Sequence, residues 1–130
     1  MSLSNDSEKA TTPSASDPSL LNQSGKNSSK VVCAHCSSII IQDNIAQLVD
    51  NRSFDLPLIY QKKEAPSLEK EALSAWWVVD DMFHFENVGF TNAHEGMKYL
   101  TCADCEIGPI GFVDLETKRN FVSLERVLHK

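Results

Sequence analysis

The four cysteines of this chain fall into two Cys-x-x-Cys pairs, Cys33-Ala34-His35-Cys36 and Cys102-Ala103-Asp104-Cys105. Each pair sets two thiolates on one tight turn, with a bite that suits a tetrahedral ion. Two such turns complete a four-sulfur shell around Zn2+, with Zn–S near ~2.3 Å. Four protein ligands leave no open position for a substrate, so the pattern reads as a structural staple and not as a catalytic metal. The 65 residues between the pairs exceed the roughly 15–20 of common zinc ribbons, so the insert must fold back as structure of its own. A thioredoxin-like dithiol would need an exposed nucleophilic Cys at a helix start in a βαβ setting, and no helix pattern follows either pair. His35, inside the first bite, is expected to point to solvent. His84, His94 and His129 carry no ligand spacing and read as ordinary surface or strand residues.

The second stretch with chemical potential is Met82–Gly89, MFHFENVG, inside Trp76–Phe90. Period-2 alternation predicts a strand there, with Trp77, Val79, Asp81, Phe83 and Phe85 on one face and Trp76, Val78, Asp80, Met82, His84 and Glu86 on the other. Large apolar groups on both faces mean a central strand or a partly exposed binding face. The pair Asp80-Asp81 argues against full burial, because an unpaired buried carboxylate is costly. Trp76 and Trp77 are expected in the core, and alternation by itself favours the core for Phe83 and Phe85 as well. Glu86–Gly89 is expected to close a turn, with Gly89 supplying positive φ.

The elements that must position these residues are short strands. Ser38–Gln42 is a β-branched run that predicts a strand, Asp43-Asn44 is turn chemistry, and Asn44–Val49 would return as the second arm of a hairpin. Lys98–Cys102 predicts the strand that delivers the second Cys pair. Phe112–Leu115 and Phe121–Leu128 flank a turn at Glu116–Asn120, and Gly108–Gly111 is another turn. Tyr60–Ala75 reads as a mobile insertion, with a short helix over Leu68–Ala75 as its one possible element. The class is mainly β.

Length and composition set the limits. The chain has 130 residues, enough for one domain and a tail. Residues 1–30 hold nine Ser, two Pro and no Val, Ile or aromatic residue. Such a segment buries too little to offset its ordering entropy and is expected to be disordered. The working domain is then 31–130. The net charge is −6, and the tail's three acids and three lysines cancel, so the whole excess lies in residues 31–130. That disfavours a nucleic-acid binder, which needs a basic face. It suits a basic protein partner. No secretory signal or membrane-spanning run is visible, which makes the cytosol, with reduced thiols, the expected compartment.

With Asp81-Met82-Phe83, Phe85–Thr91, Cys102–Gly111 and Leu124-Glu125-Arg126-Val127 in view, the chain resembles the Rab-interacting factor, or MSS-four, family of suppressors of defective secretory Rab GTPases. The resemblance runs from about Val31 to the C-terminus and leaves out the tail and Tyr60–Ala75. One departure is Ser37, where the family tends to have Gly after the second Cys, which implies a less tightly closed turn. The resemblance implies a β-tent-like fold with one zinc ion and no covalent chemistry; a monomer is expected. It implies binding to exocytic Rab GTPases in their nucleotide-free form, with slow release of guanine nucleotide, chaperoning of the empty GTPase, and recruitment to membranes only through Rab. In that role Met82, Phe83 and Phe85 would take the partner's apolar surface. Asp80, Asp81, Glu86 and Asp104 would answer its basic phosphate loop, with Asn87 beside them. Three rivals remain at this stage: a methionine sulfoxide reductase of the B type, which needs a further catalytic Cys; a zinc-ribbon nucleic-acid module; and a bare scaffold with some unrelated partner.

Overall fold

The computed structural model describes residues 20–61, 69–90 and 98–130. Trp76–Val79 is the strand about which the rest is built, and all four of its side chains are buried. Alternation divides them as a strand must. Trp77 and Val79 join one apolar cluster, and Trp76 and Val78 join another on the opposite face.

Thirteen strands make up the described chain. The first two are β1 (Val31–Cys33) and β2 (Ile39–Ile41), followed by β3 (Gln47–Val49), β4 (Phe54–Pro57), β5 (Tyr60–Gln61), β6 (Lys70–Leu73) and β7 (Trp76–Val79). Then come β8 (Val88–Phe90), β9 (Lys98–Cys102), β10 (Ile107–Gly108), β11 (Gly111–Asp114), β12 (Arg119–Ser123) and β13 (Val127–His129). Six of them form an antiparallel sheet in the order β3-β7-β12-β11-β9-β8. A three-stranded sheet, β13-β1-β2, covers one face through Val31, Ile40, Ile41 and Val127. The β4–β6 pair covers the other through Leu56 and Leu73. On that side Phe54 stacks on Phe112 at 3.9 Å and Phe112 on Phe121 at 4.9 Å. The Arg52 guanidinium lies 4.8 Å from the Phe121 ring centre and binds Asp114 at 2.7 Å, which lowers the Asp114 pKa. The sheet approaches itself closely at Gly111, where a Cβ would overlap the Phe121 carbonyl oxygen; only glycine fits there.

The mainly β class is what the structure has, and among the described residues no α-helix occurs. Five local expectations are corrected. The hairpin of 38–42 with 44–49 does not form. Ile39–Ile41 pairs with β1, and Gln47–Val49 crosses to β7. The intervening loop is held instead by buried Asn27, whose Oδ1 accepts the Ile45 and Ala46 N–H groups and whose Nδ2 donates to the Gln42 carbonyl. Asn27 and Leu20 are buried, so residues 20–30, expected in the tail, are part of the packed fold; residues 1–19 lie outside the described residues.

The short helix expected over Leu68–Ala75 gives way to strand β6, paired residue for residue with β4. Leu68 and the rest of 62–68 lie outside the described residues. Pairing buries Leu73 beside Leu56, which outweighs a weak local helix preference. Buried Arg126 then fastens the β4–β6 pair. Its Nη1 donates to the carbonyls of Pro57 and Pro109, at 2.8 and 2.7 Å, and its Nη2 to Glu71 at 3.0 Å.

Finally, Trp76–Phe90 is not one strand. It leaves β7 at Val79, makes a 3-10 turn over Met82–His84, and re-enters the sheet as β8. Positive φ falls on Asn87, at 51°, and not on Gly89. Asn tolerates the left-handed region because its short side chain can bond locally.

Candidate metal centre and the exposed loop beside it

Strands β1 and β9 each end on the first Cys of a pair, and this is what brings the pairs together. The two turns are alike. The Ser37 N–H donates to the Cys33 carbonyl at 3.0 Å, and the Glu106 N–H to that of Cys102 at 2.8 Å. The residue after each second Cys is left-handed, Ser37 at φ 65° and Glu106 at φ 64°. A left-handed position of this kind favours glycine, so Ser37 carries a backbone cost there. The His35 N–H donates to Cys33 Sγ at 3.4 Å, and its side chain is exposed, as expected.

The four sulfurs all lie within 4.8 Å of one another. Cys33 Sγ is 3.6 Å from Cys105 Sγ, and Cys36 Sγ is 3.6 Å from Cys102 Sγ. A disulfide needs about 2.05 Å, whereas the edge of a tetrahedron with ~2.3 Å metal–sulfur bonds is about 3.8 Å. The donor set thus fits one tetrahedral metal ion. With protons alone, burial pushes the Cys105 thiol up to about 12 and raises that of Cys102, while the Ser38 hydroxyl brings Cys36 down to about 7. A bound cation favours the thiolate at every position, which removes that conflict.

The residues with partner-binding potential form a loop next to this centre. Asp81 caps the 3-10 turn, its Oδ1 accepting the Phe83 N–H at 2.9 Å. The capped turn holds Met82 51% and Phe83 85% exposed. The exposure follows from the end of β7: past Val79 the chain leaves the sheet, so strand alternation no longer applies. Asp80 pairs with Arg119 at 2.9 Å on the surface. Phe85 is half-buried and packs on the core and on Phe90.

Glu86 and Asn87 are exposed and are clipped to β2. The Glu86 N–H donates to the Ile40 carbonyl at 2.8 Å, and the Asn87 side-chain amide donates to that of Ile39 at 3.0 Å. The second Cys turn closes the group, because the Ala103 N–H donates to the Asn87 carbonyl at 2.7 Å. Exposed Asp104 accepts from the Ser38 hydroxyl and lies 4.0 Å from Cys36 Sγ. Asn87 and Asp104 therefore adjoin the metal centre, Glu86 is held at the far end of β2 by Gln42, and Met82 and Phe83 project from the turn before them. A cavity of about 600 Å³ opens beside the turn, lined by Met82, Phe83, Phe90, Leu115, Lys98 and Lys118 among others.

Reading along the sequence misses Ser38 and Gln42, which reach Asp104 and Glu86 from 66 and 44 residues away. It misses Lys98, Leu115 and Lys118 for the same reason. Their relation to the loop exists only once β2, β9 and β11 are placed. His94 lies outside the described residues; of the described histidines, His129 has a side-chain partner, with Trp77 Nε1 donating to its Nε2 at 2.8 Å. Burial lowers its pKa.

Comparison with known proteins agrees with the resemblance. The model of the family described as Mss4 protein matches residues 26–129. The chain is 43% identical over 108 residues to a guanine nucleotide exchange factor MSS4 homolog of Drosophila melanogaster, covering 82% of this chain and 88% of that one. It is 30% identical over 86 residues to a homolog of the same description in Schizosaccharomyces pombe, covering 65% and 81%.

Proposed function

The chain belongs to the Mss4 family, and from that footing we propose that it is a guanine nucleotide exchange factor that binds exocytic Rab GTPases in their nucleotide-free form. It speeds nucleotide release slowly and holds the emptied GTPase as a chaperone, in the cytosol, as a monomer, and on membranes only through the bound Rab. It makes or breaks no covalent bond. The resident metal is Zn2+, held by Cys33, Cys36, Cys102 and Cys105. When bound it would tie the two turns together and keep the loop beside them in shape.

The observation that carries this reading is the capped turn that holds Phe83 85% exposed, with Met82 beside it. An aromatic ring so far in water is unstable against almost any apolar cover and is a natural anchor for a partner. The carboxylates supply the second half. A GTPase that has lost its nucleotide keeps a basic, NH-rich phosphate loop without its anion. Glu86 and Asp104 can answer that charge, with Asn87 offering its amide beside them; Asp80 and Asp81 add negative potential. Because nucleotide phosphate competes for the same positive loop, binding favours the empty state, and release follows from the difference in affinity for the two states. Phe85, half-buried, supports the turn from below and offers its outer edge.

Capture of EDTA-stripped Rab against the same Rab loaded with GTP tests the proposal. Strong capture of the stripped form and weak capture of the loaded one is expected. Equal capture of both refutes the empty-state preference. Reduction of methionine sulfoxide by the purified chain with dithiothreitol as the electron donor would move the protein to the reductase reading.

A further inference from the structure

β2 runs straight out of the first Cys turn and lies beside the segment that carries the exposed acid and amide. Ile41 bridges Phe85, the Ile40 carbonyl accepts from Glu86, and the Ile39 carbonyl accepts from Asn87. Phe85–Asn87 is thus laid along β2 like a short added strand. Gln42, the residue after β2, is half-buried and donates from Nε2 to Glu86 Oε2 at 3.0 Å. At the other end of β2, Ser38 donates to Asp104. One strand therefore holds a carboxylate at each end, across about 13 Å of extended chain.

We propose that Gln42 is a positioning residue of the partner-facing surface: its side-chain amide fixes the Glu86 carboxylate before the partner arrives. This rests on the functional reading above. A free glutamate side chain must be ordered when it binds, which weakens binding. A glutamate already held at one oxygen has lost most of that freedom. A carboxylate accepts at both oxygens, so the bond to Gln42 leaves the other for a cation or N–H group of the partner. The backbone bonds from β2 fix where Glu86 starts, and Gln42 fixes where it ends.

The test uses the metal-loaded full chain and a purified, EDTA-stripped Rab GTPase. Affinity is measured for wild type and Gln42→Met, each with and without Glu86→Ala. Melting temperature and metal stoichiometry are checked first, and Gln42→Asn, too short to reach, is the second variant if Gln42→Met melts early. The expected result is about threefold to tenfold weaker binding, the ratio set by ordering one flexible side chain. Metal content stays at the wild-type level, and the loss disappears when Glu86 is already Ala. Unchanged binding, or an equal loss with and without Glu86, overturns the role given to Gln42. A wild-type chain that captures no stripped Rab overturns the functional reading and this role together.

Discussion

At the scale of single residues, burial separates the aromatic side chains into two kinds. Trp76, Trp77 and Phe112 are wholly buried, whereas Phe83 is 85% exposed. Phe83→Ala is expected to leave the melting temperature nearly unchanged, since surface truncations cost within about 0.5 kcal/mol. Capture of stripped Rab should fall about 30-fold, as for a hot-spot aromatic worth ~2 kcal/mol. A variant that melts early but binds normally would return Phe83 to the core. Ser37 offers the opposite case. Its φ of 65° costs a non-glycine residue roughly 1–2 kcal/mol, partly offset by the greater chain entropy that glycine loses on folding. Ser37→Gly should therefore raise stability by up to about 1 kcal/mol, read as a higher denaturation midpoint in the metal-loaded protein.

At the scale of elements, most strands are three to five residues long and none is stable by itself. What holds them is cross-bracing. Arg126 is the main brace, because it joins the β4–β6 pair to the loop before β11 through Pro57, Pro109 and Glu71. It is 4% exposed. Arg126→Met keeps the apolar stem and removes the donors, leaving two carbonyls without partners. The expected loss is about 2–4 kcal/mol, measured by urea denaturation, with early hydrogen exchange in β4 and β6. An unchanged midpoint would show that the β4–β6 pair packs by its apolar face alone. Strand β2 is the other brace. It has no special composition beyond three isoleucines, yet it connects the first Cys turn to Glu86 and Asn87 through hydrogen bonds.

At the scale of the molecule, the candidate metal centre gathers four sulfurs at strand ends from two different sheets. Structural zinc contributes ~10–16 kcal/mol in small peptides, comparable with the ~5–15 kcal/mol net stability of a whole domain. Removing the metal with a chelator, or replacing Cys102 with Ala, is expected to collapse the near-UV signal and to abolish Rab capture. An apo protein with wild-type melting would exclude the centre as a staple. A second link between the sheets is the bond from Trp77 in β7 to His129 in β13. Burial holds the His129 pKa below its ordinary value of 6.5, so the unfolded chain binds the proton more readily. Its share of stability is complete above about pH 6.5 and is lost as pH falls through the lowered folded value. His129→Gln keeps an acceptor for Trp77 and removes the titration, so the acid limb of the stability profile should be shallower than in wild type. Parallel profiles would show that His129 does not titrate with unfolding.

The sequence by itself determined the four-thiol donor set, the β class, the buried tryptophans and the family, because these rest on local spacing, on side-chain type and on runs of identity. It also marked Met82–Gly89 as unusual, without saying which of its rings would face water. Only tertiary structure decided that Phe83 is out and Phe85 half in, since the chain leaves the sheet at Val79 and period-2 alternation stops there. Only tertiary structure sent Gln47–Val49 to β7 in place of a hairpin, made Lys70–Leu73 a strand, and drew residues 20–30 into the fold. Each of those outcomes is fixed by burial against a partner distant in sequence, and alternation along a short segment carries no record of which partner that will be. The same holds for Gln42 and Glu86: hydrogen bonds between side chains 44 residues apart exist only after β2 and its neighbouring loop have met.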